Sequence, residues 1–443
     1  MKVRLLGAVF ILSLVLGVSR AQSANQEYIV VLKDGQSIGA LNKEHDTKTV
    51  RQIPNTSIYL IQADGGDNDD RLLKKLKRDK AVDTVEKNSR IKLRSKNEVS
   101  FNPALVQQMA SLLDGRTLTT FYGSTVLKSY ADQPALAVAH VNEARSLSTG
   151  AGARVAYIDT GVDFYHPALR PWLDPGADLV FNRTASELDG LSQQMASLLD
   201  QQMTSLLDKR FFFALNQQMA SLLDGDDGSD AFPSALGHGT LVAGIIHLIA
   251  PEARIAPIKA FDAYGNTDLF TIVAAVYRAK DLGVDVLNMS FSISDDSEAL
   301  QKAIADAHAA GISTVASVGN DSRDARDLYP AAYGQVIGVA ATDFNDRLAS
   351  FSNYGKAVSI AAPGAWVVST VPGGRYAAAW GTSFSAPFVS GTIALLASQG
   401  PRGNSDSSLV VTTADGIDQL NPGLERKLGK GRVNVRQALK SKK

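Results

Sequence analysis

From about residue 150 onward, apolar runs of strand length alternate with apolar segments of helical length, and few architectures accept that alternation. Residues 154–158, 254–260, 284–289, 312–317, 336–340 and 358–361 read as strands. Residues 239–248, 269–279, 297–310 and 383–398 read as helices between and after them. Parallel strands need long crossovers, which helices supply. The pattern therefore predicts an α/β fold, a parallel sheet with helices on both faces. In such sheets ligands are taken up outside the carboxyl ends of the strands.

The N-terminal part is organised differently. Lys2 and Arg4 precede an apolar stretch over 5–18, and Ser19-Arg20-Ala21 and Ala24 offer small residues for cleavage. This reads as a signal peptide over 1–24 and an exported product. The alternative is a membrane anchor, but the stretch falls short of the roughly 20 residues a span requires. Residues 25–95 form a small α+β module, with strands at 28–32, 57–61, 82–86 and 91–93. Its helix at 71–79 carries Leu72, Leu73 and Leu76 on one face, and the stretch around Glu44-His45-Asp46 is polar. Residues 96–134 read as linker and processing region, and 135–443 as the main domain.

Composition removes several classes of function. There is no cysteine, hence no thiol nucleophile, thiolate metal site or disulfide. Lys plus Arg balance Asp plus Glu at 45 each, so nothing points to nucleic acid. The segment Gln107-Gln108-Met109-Ala110-Ser111-Leu112-Leu113-Asp114 recurs nearly unchanged at 193–200, 201–208 and 217–224. Each copy has helical spacing, but the adjacent copies repeat every eight residues, so their apolar stripe drifts and no sustained coiled coil is expected.

Four segments carry chemistry. Asp159, in Ile158-Asp159-Thr160-Gly161, stands just past a buried strand, where a turn is the plain alternative. His238 lies between two glycines at the start of an apolar helix. Ser383, in Gly381-Thr382-Ser383, opens another helix, where backbone N–H groups and the helix dipole favour developing negative charge. Simple capping by Ser383 or Thr382 is the alternative reading. Pro387 falls early in that helix, where a missing N–H is expected to matter little. A serine hydroxyl needs a base within reach, and the base needs a partner that holds its tautomer. Histidine suits the base role, and Asp159 the partner role. Asn320 ends a strand after Gly319, where its side-chain N–H would meet a reacting carbonyl oxygen, although alone it reads as a left-handed turn residue.

Together these segments resemble the subtilisin-like serine peptidases over about 135–440, most specifically in Gly237-His238-Gly239-Thr240 and Gly381-Thr382-Ser383 with Pro387. The order Asp, His, Ser along the chain is that of subtilisin. The resemblance implies endopeptidase activity on protein or peptide substrates, with Asp159, His238 and Ser383 as triad. It implies Asn320 and the Ser383 N–H as oxyanion donors. It also implies that Ser290, Phe291 and Ser292 pair with an extended substrate, and that Ser317, Val318 and Gly319 line the opposite wall of the first specificity pocket. The family usually has glycine where Ser292 stands, so a side chain there narrows the pocket.

The module at 25–95 resembles the family's inhibitory prodomains, which makes it a partner of its own enzyme, released by cleavage between about 93 and 124. The surplus between Asp159 and His238 must loop out near 183–230, where the clustered repeats lie. This reads as a tolerated insertion, or else as an exosite. No cofactor is required by the chemistry and no catalytic metal is expected. Calcium is a candidate structural ion, with Asp226-Asp227-Gly228-Ser229-Asp230 either an oxygen-rich loop for it or merely solvated. Two other classes remain to be weighed. A catalytically silent binding protein on this fold would not need the triad and Asn320. An α/β-hydrolase esterase needs Gly-x-Ser-x-Gly, which does not surround Ser383.

Overall fold

The computed structural model describes residues 26–63, 69–93, 117–180, 185–186, 235–400 and 403–442. The signal segment, the repeats, most of the insertion and the acidic loop at 226–230 lie outside the described residues.

The N-terminal module consists of β1 (Glu27–Leu32), α1 (Ile38–His45), β2 (Thr47–Gln52), β3 (Ile58–Ala63), α2 (Asp69–Leu76) and β4 (Val82–Lys87). Its antiparallel sheet runs β2-β3-β1-β4. β1 is apolar at every position after its first because both faces are covered. Tyr28, Val30 and Leu32 pack under Leu41, Leu72 and Leu76 of the two helices. Ile29 and Val31 face the other way, into a core shared with the main body. The sequence pattern missed α1 and β2, because β2 is exposed after its first residue and carries no apolar alternation.

The body continues with β5 (Arg90–Lys92), β6 (Leu118–Phe121), β7 (Ser124–Leu127), β8 (Arg154–Asp159), β9 (Ala177–Asp178) and α3 (His238–Ile249). Then come β10 (Arg254–Lys259), β11 (Asn266–Asp268), α4 (Leu269–Asp281), β12 (Val286–Met289), α5 (Glu298–Ala309) and β13 (Ser313–Ser317). β14 (Val336–Thr342), β15 (Ile360–Pro363), β16 (Val367–Val371), β17 (Arg375–Ala379) and α6 (Thr382–Ala397) follow. Seven strands form one parallel sheet in the order β15-β14-β13-β12-β8-β10-β9. The order reverses at β8, which has β10 on one side and β12 on the other. Such a reversal opens a crevice at the strand ends. Val155 and Tyr157 of β8 face the core built with α3 and α6, while Ala156 and Ile158 face the one built with α4 and α5.

Two features position the later site. α6 is buried all round apart from Ser383, as expected of a helix apolar on every face. It crosses α3 at close range: a Cβ on Gly391 would lie 2.6 Å from Ile249 Cβ, so only glycine lets the two helices meet there. Part of the expected linker also belongs to this core. Phe121, Val126 and Tyr130 are buried in it, and the Tyr130 hydroxyl donates to the Gly244 carbonyl at 2.7 Å.

α3 also buries His247, whose ring stacks on Trp172 at 6.0 Å. Burial pulls its pKa from 6.5 down to about 3, with His166 and Arg145 adding to the shift. The Pro251 carbonyl opposes it without reaching hydrogen-bond geometry. The unfolded chain therefore takes up this proton first as pH falls below 6.5. Stability is lost from there toward pH 3, at up to about 1.4 kcal/mol per pH unit. Urea unfolding at pH 7 and pH 5, in a Ser383→Ala background that prevents self-digestion, is expected to show the loss. His247→Leu is expected to flatten it, and an unchanged slope would count against this account.

Candidate active site

Asp159 is the last residue of β8 and its carboxylate is 1% exposed. His238 Nδ1–H donates to its Oδ1 at 2.8 Å and its Oδ2 at 3.0 Å. An ionised carboxylate only accepts, so this contact keeps the proton on Nδ1 and the lone pair on Nε2. The Thr160 N–H also donates to Oδ1, at 2.8 Å, fixing the carboxylate plane. His238 begins α3 after Gly237, which has the left-handed φ of +91°. A Cβ on Gly239 would lie 2.1 Å from the Gly161 carbonyl oxygen. The glycine is thus what lets the loop after β8 press against the helix start.

Ser383 is the second residue of α6, half-buried, and its neighbour Phe384 lies 5.4 Å from the His238 ring. Among the described residues no backbone carbonyl accepts from its N–H, as expected in a first helical turn. Its hydroxyl donates to the Ser290 carbonyl at 3.1 Å.

Pro387 plays a larger part than its position in the sequence suggested. It lies inside α6, where its missing N–H would have met the Ser383 carbonyl four residues earlier. That carbonyl accepts instead from Ser290 Oγ at 2.7 Å. Ser290 Oγ accepts in turn from Asn288 Nδ2 at 2.8 Å, and Asn288 Oδ1 accepts from Ser390 Oγ at 2.9 Å. All three side chains are buried and mutually satisfied. The sequence carried one signal for this network, a polar Asn288 inside an apolar strand.

Asn320 follows Gly319, and the left-handed residue is Gly319 at φ +92°, which removes the turn reading for Asn320. Asn320 Oδ1 accepts from the Thr382 N–H at 2.8 Å and the Thr382 hydroxyl at 2.9 Å. Both donors require the oxygen on that side, so Nδ2 points the other way, beside Gly381. Thr382 Oγ1 itself accepts from the Gly319 N–H at 3.1 Å. Thr382 thus aligns Asn320, a role missed in the sequence because the residue reads there as a cap.

The expected substrate-binding segments flank this group. Ser290 faces Ser383 as described, and Phe291 turns its side chain into the core against Phe261. Ser317 and Val318 are buried, and the Val318 carbonyl accepts from Asn353 Nδ2 at 2.9 Å. Asn353 Oδ1 accepts from the Asp321 and Arg323 N–H groups, so this one buried amide holds the 318–323 loop. Asp163 and His166 support the site's surroundings. Asp163 accepts from the Tyr165 and Gly373 N–H groups. His166 donates from Nε2 to the Arg375 carbonyl and accepts at Nδ1 from Ala168, and burial lowers its pKa.

The N-terminal module reaches the same end of the sheet. Glu86 Oε1 accepts from Ser297 Oγ and the Ala299 N–H, both at 2.9 Å, at the start of α5. Burial raises the Glu86 pKa, with these bonds opposing. Asn88 Oδ1 accepts from the Phe270 N–H at 2.9 Å, at the start of α4. Two helix starts of the body are thereby satisfied by the module. β5 then pairs antiparallel with β11, and the Leu93 N–H donates to the Gly265 carbonyl at 2.7 Å.

Among the described residues, Glu44, His45 and Asp79 of the module are the one group close enough to share a metal ion. Two carboxylates and an imidazole do not make the six to eight oxygens calcium takes, and His45 already binds Asp79 at 2.7 Å. No helix among the described residues is long and apolar enough to cross a membrane.

Residues 150–431 match the model of the subtilase family of peptidases. The chain is 31% identical over 307 residues to thermitase of Thermoactinomyces vulgaris, covering 67% of this chain and 92% of thermitase. It is 35% identical over 277 residues to a thermophilic serine proteinase of Bacillus sp. (strain AK1), covering 60% of this chain and 57% of that one. Its fold is similar to that of fervidolysin from Fervidobacterium pennivorans, a keratinolytic enzyme related to subtilisin. That match has a TM-score of 0.68 and 24% identity, covering 94% of this chain and 61% of fervidolysin. The chain belongs to the subtilase family and is a subtilisin-like serine endopeptidase.

Proposed function

We propose that the chain is a secreted endopeptidase, made as a precursor, that cuts peptide bonds through Asp159, His238 and Ser383. The observation that carries this reading is the buried Asp159 carboxylate holding His238 Nδ1 at 2.8 and 3.0 Å at the sheet's switch point. The lone pair on Nε2 takes the Ser383 proton as Oγ attacks the substrate carbonyl carbon. The oxygen that becomes negative is met by Asn320 Nδ2–H and the Ser383 N–H. Collapse breaks the C–N bond, and the proton on Nε2 passes to the leaving amine. Water then repeats the sequence on the acyl-enzyme and restores Ser383.

The module over 26–93 acts as inhibitory prodomain. Its tail, to Leu93, pairs along the edge of β11. The apolar segment over 5–18 directs export. Substrate lies extended against 290–292, adding a strand through its backbone. A fluorophosphonate is expected to label Ser383 of the processed enzyme, read by mass spectrometry of the Ser383 peptide; labelling elsewhere would sink the assignment. Asn320→Ala is expected to lower kcat by about 10²–10³ with KM little changed, the loss known for subtilisin.

A further inference from the structure

β12 and β13 run side by side until Met289 pairs with Ala316. Beyond that register the two chains part, as Ser290-Phe291-Ser292 on one side and Ser317-Val318-Gly319 on the other, with Ser383 and Asn320 at the mouth between them. A pair of backbone bonds closes the far end of this cleft. The Ile293 N–H donates to the Tyr329 carbonyl at 2.7 Å, and the Tyr329 N–H to the Ile293 carbonyl at 2.8 Å. This brings Leu328, 4% exposed, to the floor of the cleft.

The walls are close together. A Cβ built on Gly319 would lie 2.7 Å from Asn353 Nδ2, 3.1 Å from Leu328 Cδ1 and 3.2 Å from Ser292 Oγ. The Leu328 methyl and the Ser292 hydroxyl therefore both crowd the space off the Gly319 Cα, beside the Asn353 amide that holds this wall. A flat ring between two walls needs roughly 3.5 Å to each, about 7 Å in all. The gap from Ser292 Oγ to the Gly319 wall is far short of that. Moving Leu328 aside would open a buried leucine site, and well-packed cores resist such rearrangement.

We propose that Leu328, acting with Ser292, sets the specificity of this peptidase: the residue on the carbonyl side of the scissile bond is small, namely glycine, alanine or serine. Ser292 narrows the cleft from one side, and Leu328 fills it from below. The proposal rests on Ser383 being the nucleophile, since that places the cleft beside the reacting carbonyl.

The test uses the processed full-length product and two tetrapeptide anilides that differ only in alanine or phenylalanine at that residue. Wild type is expected to show at least tenfold higher kcat/KM on the alanine substrate. Ser292→Gly and Leu328→Ala are each expected to raise the phenylalanine-to-alanine ratio of kcat/KM tenfold or more. Leu328 is buried, so Ser292→Gly at the half-exposed wall carries the test should Leu328→Ala fail to fold. Equal or better cleavage of the phenylalanine substrate by wild type overturns the proposal, as does an unchanged ratio in folded variants. Either result, with hydrolysis still lost in Ser383→Ala, leaves the serine peptidase reading intact. Hydrolysis that survives Ser383→Ala removes both.

Discussion

Ser383→Ala is expected to reduce kcat for peptide hydrolysis by about 10⁶, the scale seen when the nucleophile of a subtilisin triad is removed. The same change is expected to leave the N-terminal module attached to the body, since in the proposed maturation the chain releases it by its own activity. Gel electrophoresis and mass spectrometry of the purified product read the second effect. The substitution is expected to fold. Ser383 is half-buried, and among the described residues its hydroxyl makes one bond, to the Ser290 carbonyl. Losing that bond costs about 1 kcal/mol, while the Ser290 hydroxyl still holds the Ser383 carbonyl. Thermal unfolding therefore separates a chemical loss from a structural one. Hydrolysis and module release at wild-type rates would remove Ser383 from the reaction.

Asp159→Asn is expected to lower kcat by about 10⁴, as in other enzymes with this triad. The direction follows from the local donors. Asp159 Oδ1 accepts from the Thr160 N–H at 2.8 Å. An asparagine here keeps its oxygen on that N–H, which turns its own NH₂ toward His238. Nδ1 must then accept, the ring proton moves to Nε2, and no lone pair remains there to take the Ser383 proton. KM and thermal stability are expected to change little, since shape and packing are kept. A fall in stability that accounts for the lost activity would instead mark Asp159 as a structural residue only.

The parallel sheet was readable because its strands are apolar on both sides and its helices have the right length between them. The module's exposed strand β2 was not, since nothing in Thr47–Gln52 separates it from a polar loop. The four residues that the geometry groups together, Asp159, His238, Asn320 and Ser383, were each visible at the end of an apolar run. The side chains that align them were hidden for a common reason. Thr382, Asn353 and Ser390 act through hydrogen bonds to distant segments, and such bonds leave no local pattern. Leu328 was hidden too: in sequence it precedes Tyr329-Pro330 as an ordinary apolar residue, and only the pairing of Ile293 with Tyr329 places it under the cleft.

Pro387 has a mechanical consequence. By withholding one amide proton it uncouples the Ser383 carbonyl from the helix that bears it, and Ser290, just past the end of β12, takes hold instead. Ser383, the proposed nucleophile, is thus anchored to Ser290, in the run of chain proposed to take the substrate. A shift of α6 along its axis would have to strain that 2.7 Å bond before it could change the spacing between Ser383 and Ser290.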